Sequence, residues 1–158
     1  MNTAYVALGA NLGDPTAAVL AAFAALANLP ESRVARCSSL YRTAPVGILS
    51  QPDFVNAVAV LETKLPPESL LDALLDIEAR FGRIRRERNG PRTLDLDLLL
   101  YDDIELDLPR LTLPHPRLHL RAFVLLPLAE VAPDLAIPRR GSLAAWLPAV
   151  ANQGIVRL

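Results

Sequence analysis

The fold turns on Gly90-Pro91-Arg92-Thr93-Leu94-Asp95-Leu96-Asp97-Leu98-Leu99-Leu100-Tyr101. Leu94, Leu96 and Leu98 alternate with Asp95, Asp97 and Leu99, the period of a β-strand, so both acids point to one side. Beyond Asp97 the run is apolar on both faces, as in a strand covered from two sides. At about 3.3 Å rise per residue, the backbone attachments of the two acids lie roughly 6.6 Å apart. Asp is a poor strand former, and two carboxylates so spaced repel each other unless something cationic sits between them. Two readings stand: a clamp for cations, such as a pair of Mg²⁺ ions about 3.5–4 Å apart, or a strand end rich in salt bridges.

Working back from this strand, an Arg-rich loop precedes it, and before that a helix opens at Pro66 and Pro67 and closes at Gly82. A strand over 54–63, the turn-rich loop 43–53 and a strand over 33–42 come earlier still. A strand over 4–9 begins the chain, and a helix over 16–28 follows it, with Asp14 as cap and Pro15 at its first turn. The order β-α-β-β-α-β predicts an α+β fold with a ferredoxin-like core sandwich. Downstream the pattern predicts a short hairpin over 104–111, helices over 120–130 and 143–150, and a terminal strand, together a C-terminal helical extension. No repeat or interdomain linker is visible, so residues 1–158 are expected to form one domain.

The composition, 52% hydrophobic and 21% charged, suits a compact fold with a core and argues against disorder. A net charge of −1 gives no general attraction to nucleic acid or anionic membrane. Arginines nonetheless cluster at Arg83, Arg85, Arg86, Arg88 and Arg92 and again at Arg110, Arg117 and Arg121, whereas Lys64 is the only lysine. Guanidinium groups suit bidentate contacts to phosphate oxygens; a solvated surface is the simpler explanation of either run alone. Cys37 is the single cysteine and reads as a small strand residue. With no leader-like or membrane-length apolar run, a cytoplasmic location is expected.

Three local features stand out. Leu70, Leu71, Leu74, Ile77 and Phe81 form the apolar stripe of the second helix, and Glu78 falls inside it. An ionised Glu there needs partners: it either snorkels to water or an Arg, or contacts a ligand at the edge of the core. Gly9-Ala10-Asn11-Leu12-Gly13 lacks both the Rossmann and Walker spacings and reads as a strand-to-helix turn. His115, held between Pro114 and Pro116, suits a phosphate contact or is a plain loop residue; zinc is not expected with two histidines and no Cys partner.

Taken together, these residues resemble the 6-hydroxymethyl-7,8-dihydropterin pyrophosphokinases of folate biosynthesis. The resemblance spans nearly the whole chain. It runs through Ala7-Leu8-Gly9, Asn11-Leu12-Gly13, Tyr41-Arg42-Thr43, Gln51-Pro52-Asp53-Phe54 with Asn56, and Gly82-Arg83 with Arg85. It continues through Gly90 to Asp97, Pro114-His115-Pro116 and Arg121-Ala122-Phe123. It implies transfer of pyrophosphate from ATP to the hydroxymethyl group of the pterin, with release of AMP, by an enzyme that needs two Mg²⁺ ions held by Asp95 and Asp97.

By the same resemblance Arg83 and Arg92 would bind phosphates and assist transfer. Glu78, Arg85, Leu98, Arg110, Thr112, His115 and Arg121 would contact ATP. Thr43, Ala44, Val46 and Asn56 would hold the pterin, with Phe54 and Phe123 stacking on it; without the resemblance, both rings read as ordinary core. The implied partners are the two small-molecule substrates of a monomer, with neither nucleic acid nor membrane, and the loops after Arg42 and Arg83 are expected to close over ligand. Asn89, Ala10 and Pro116 depart from the family's common Trp, Ser and Tyr. The alternatives are another two-metal nucleotidyl-transfer enzyme on this fold, or a non-catalytic small-molecule sensor.

Overall fold

The computed structural model describes residues 1–45, 50–82 and 93–158. Strand β1 (Asn2–Ala10) leads into helix α1 (Pro15–Ala27). The Asp14 side chain accepts the Ala17 amide at 3.1 Å, with Pro15 in the first turn, the expected cap and start. The turn itself is made at Gly13, whose φ of +63° favours glycine. Gly9, read in the sequence as part of that turn, lies inside β1 instead.

The strand expected over 33–42 is divided. Its halves, β2 (Ser32–Cys37) and β3 (Tyr41–Thr43), both pair with one edge of β4 (Phe54–Thr63). Ser38 marks the break: its amide donates to the Val58 carbonyl and its hydroxyl accepts the Val58 amide, both at 2.9 Å. A side chain has taken a backbone place in the ladder. The register slips by one across it, from Cys37 opposite Ala59 to Tyr41 opposite Asn56.

Helix α2 (Pro67–Arg80) ends ahead of Gly82, whose φ is +74°. Strand β5 (Asp95–Tyr101) then pairs with β1. The hairpin of β6 (Leu106–Leu108) and β7 (Leu111–Leu113) lies slightly later than expected, turning at Pro109-Arg110. Helix α3 (Ala122–Val131) follows, then the small pair β8 (Ala136–Ile137) and β9 (Gly141–Ser142). The helix expected over 143–150 resolves into two 3₁₀ turns, Leu143–Trp146 and Pro148–Val150. Pro148 lacks an amide and breaks any continuous helix there. Strand β10 (Ile155–Arg157) closes the sheet beside β3.

The main sheet runs β10-β3-β4-β1-β5, with β2 also on β4 and every neighbour antiparallel. This is the ferredoxin-like order with its second strand broken in two. One face packs Val6, Leu8, Leu61, Leu96 and Leu98 against Val19, Ala22 and Leu26 of α1 and Leu70, Leu74 and Ile77 of α2. The other packs Ala7, Val58, Val60, Leu99 and Leu100 against Val124, Leu125 and Leu128 of α3. The C-terminal extension is thus a third layer, which explains why β4 and the end of β5 are apolar on both sides.

Strand β5 carries one extra residue. Val6 stands opposite Leu98 and Tyr5 opposite Leu100, so Leu99 is bulged. The bulge returns Tyr101 to the α1–α2 face, where its hydroxyl donates to the Leu65 carbonyl at 2.6 Å.

Candidate active site

Directly opposed residues of antiparallel strands point to the same face. The pairing therefore builds one row across the sheet: Tyr41 opposite Asn56, Asn56 opposite Gly9, and Gly9 opposite Asp95. Above it lies Thr43 opposite Phe54, and below it Val58, Ala7 and Asp97. All share the α3 face, at the end where the apolar packing gives out. Asp95 and Asp97 are half-buried, with Leu94, Leu96 and Leu98 between and around them on the opposite face. Two expectations hold here: the acids share a side, and the strand beyond them is covered twice.

Asn56 is buried, and its Nδ2 donates to Thr43 Oγ1 at 2.8 Å. Phe54 and Phe123 are both half-buried, on β4 and in the first turn of α3. The Arg121 guanidinium lies 5.4 Å from the centre of the Phe123 ring, within cation–π range. Ala44 is exposed just after β3. Just past the end of β1, Asn11 is buried and donates to Gln51 Oε1 at 2.9 Å and to the Pro52 carbonyl at 3.0 Å. It ties the end of β1 to the approach to β4.

A cleft of about 520 Å³ opens along the outer edge of β5. Leu71 and Leu75 of α2, Leu96, Asp97 and Leu98 of β5, Pro109 to Thr112 of the hairpin, and His115 with Pro116 line it. It gathers Leu98, Arg110, Thr112 and His115 with Asp97. Leu75, Pro109 and Leu111 were not singled out in the sequence, whereas Leu71 was read as part of the apolar stripe of α2 and Pro116 as a departure from the family's Tyr. Leu75 gave a signal: it is apolar, off the stripe of α2 and 39% exposed. Arg110 pairs with Asp72 on α2 across this cleft.

Glu78 lies inside the core face of α2, as the stripe indicated. It is only 3% exposed, and its Oε2 accepts the Leu96 amide at 2.7 Å. That bond holds α2 to the strand between the two aspartates, so the side chain does not snorkel to water. His115 covers the same edge further along, its amide donating to the Leu99 carbonyl at 2.8 Å. Burial, with help from nearby Arg121 and against the pull of Asp95, pushes the His115 imidazole down to about 4. The Arg117 amide donates to its Nδ1 at 3.1 Å. A neutral ring accepting at Nδ1 carries its proton on Nε2, so it can donate one hydrogen bond. Thr93 Oγ1 is buried and has no hydrogen-bond partner among the described residues.

Arg83, Arg85, Arg92, Val46 and Asn89 lie outside the described residues, as do residues 46–49 of the loop after Arg42 and the loop after Arg83, both expected to close over ligand. Among the described residues no three His, Cys, Asp or Glu side chains group as metal ligands, and no helix is long and apolar enough to cross a membrane.

Residues 5–133 match the family described as 7,8-dihydro-6-hydroxymethylpterin-pyrophosphokinase. A relative in Pseudomonas aeruginosa, a 2-amino-4-hydroxy-6-hydroxymethyldihydropteridine pyrophosphokinase, is 52% identical over 154 residues, 98% of this chain and 95% of that protein. One of the same name in Haemophilus influenzae is 44% identical over 158 residues, 100% of this chain and 99% of the relative. Among solved structures, wild-type Plasmodium falciparum HPPK-DHPS with pteroate superposes with a TM-score of 0.74 at 15% identity, a likeness of fold. The match covers 93% of this chain and 42% of the Plasmodium chain. On the family match and these full-length relatives, the chain belongs to the 7,8-dihydro-6-hydroxymethylpterin-pyrophosphokinase family.

Proposed function

We propose that this chain transfers pyrophosphate from ATP to the hydroxymethyl group of 6-hydroxymethyl-7,8-dihydropterin, as a monomer in the cytoplasm. The observation that carries this reading is the place of Asp95 and Asp97. They stand between a cleft edged by Leu98, Arg110, Thr112 and His115 and a row that ends in Asn56, Thr43 and Phe54. Membership of the family supports it.

ATP occupies the cleft at the edge of β5. Leu98 and Thr112 bound the adenine, with Glu78 behind them on the α2 side, and Arg110 faces the nucleotide from the hairpin. His115 donates from Nε2 and Arg121 adds charge beside it; Arg83, Arg85 and Arg92 bind the phosphates. The pterin lies between Phe54 and Phe123, a flat ring between two flat rings. Asn56 meets its mixed donor and acceptor edge, and Thr43, Ala44 and Val46 line the loop side. The hydroxymethyl oxygen bonds to the β-phosphorus as the bond from that phosphorus to the α–β bridging oxygen breaks, and AMP leaves.

Two Mg²⁺ ions fit this site. The donors would be the two carboxylates of Asp95 and Asp97, half-buried on one face of β5. Magnesium takes oxygen ligands and commonly binds through one or two carboxylates plus substrate phosphates and water. When bound, the ions offset charge on the triphosphate and draw its β-phosphorus and the hydroxyl together.

The test mixes protein, ATP, Mg²⁺ and the reduced hydroxymethyl pterin and identifies the nucleotide formed. AMP with pterin diphosphate supports the proposal. ADP, free pyrophosphate or no turnover overturns it, the second outcome pointing to nucleotidyl transfer and the third to a sensor.

A further inference from the structure

Gly9 sits in the middle of the row between Asn56 and Asp95, on a strand whose backbone there needs no glycine: its φ is not among the positive ones. What it lacks is a side chain, and the place where a Cβ would stand is already taken. An ideal Cβ on Gly9 would lie 2.9 Å from Asn56 Oδ1 and 3.9 Å from the Val55 carbonyl. The end of an asparagine can usually swing aside. Here its other end is tied in a buried bond, Nδ2 to Thr43 Oγ1 at 2.8 Å. To yield, Asn56 must break that bond or turn its amide, and a buried amide that loses its partner is costly.

We infer that Gly9 is a positioning residue for the pterin. Its bare Cα keeps the Asn56 amide in the orientation that reads the heterocycle's edge. The inference rests on the pterin-transfer reading of the same site, and ATP, held on the far side of β5, lies outside its reach.

The experiment compares wild type, Gly9→Ala, Asn56→Ala and the double variant, measuring KM for each substrate, kcat and the thermal midpoint. Gly9→Ala should raise pterin KM about tenfold, the scale of one displaced hydrogen-bonding group, and leave ATP KM unchanged. In the Asn56→Ala background the same methyl meets no amide, so Gly9→Ala should add less than about a twofold change there. An unchanged pterin KM in the single variant, equal rises for both substrates, or the same cost in both backgrounds would overturn the inference.

Should Gly9→Ala fail to fold, a folded double variant supports the collision with Asn56, and an unfolded one overturns it. A crystal structure of Gly9→Ala with Asn56 unmoved and its Thr43 bond intact would also sink it. The wild-type assay separates the two claims: wild type that makes no pterin diphosphate removes the function, whereas the collision is still read from the folding of the variants and from that structure.

Discussion

At the scale of single residues, the carboxylates divide by environment. Asp95 and Asp97 stand half-open on the α3 face, while Glu78 is sealed on the other side and grips the Leu96 amide. Asp97→Ala should therefore leave the fold intact, with circular dichroism and thermal midpoint near wild type, and nearly abolish AMP formation. Near-normal turnover would remove the metal role. Glu78→Ala acts the other way. Stripping a buried acceptor from a strand amide should cost about 1–3 kcal/mol in urea unfolding, and a midpoint equal to wild type would contradict the bond's importance.

His115 supplies a pH dependence. Its native pKa of about 4 lies below its ordinary 6.5, so between these values the unfolded chain binds a proton that the native ring refuses. Its contribution to stability is complete above about pH 6.5 and declines as pH falls towards 4. His115→Gln should flatten that part of the stability-versus-pH curve, and an unaltered slope would count against a neutral native ring.

At the scale of elements, the period-2 run of β5, the cap of α1 and the stripe of α2 were legible because each is written in neighbouring residues. The break between β2 and β3 was not. It depends on Ser38 reaching a backbone pair on β4, a contact twenty residues away. Glu78 was visible as an oddity, but its partner is an edge amide that no helical wheel displays. The likeness to known pyrophosphokinases supplied the proposed roles of Phe54 and Phe123, which their own spacing leaves as core.

Helix α3 is lashed at both ends, which positions Arg121 and Phe123. At its start Gln153 accepts the Ala122 amide at 2.9 Å and donates to the Leu120 carbonyl at 3.0 Å. At its end Glu130 accepts Tyr41 Oη at 2.7 Å and the Ser39 amide and hydroxyl at 3.0 and 2.9 Å. Burial pushes the Glu130 carboxyl up, but these bonds and Arg157 outweigh it and hold it below its ordinary value. Glu130→Ala should lower stability by about 1–3 kcal/mol and loosen β3 from α3. Amide exchange that quickens at Tyr41–Thr43 would show this; exchange unchanged there would refute it.

At the scale of the whole molecule, β5 stands at one margin of the main sheet, and the cleft lined by Leu98, Arg110, Thr112 and His115 forms along its outer side. A bare strand edge offers its amides and carbonyls to any other strand, including that of another copy. Glu78 occupies one of those amides and the His115 loop one of those carbonyls. Two residues proposed to contact ATP would therefore also guard the edge against pairing with another copy of the chain. Light scattering on concentrated Glu78→Ala should reveal association that wild type lacks, and it should recede when ATP fills the exposed edge. Selection on solubility alone would thus tend to preserve part of the proposed binding site, even in a descendant that no longer catalysed anything.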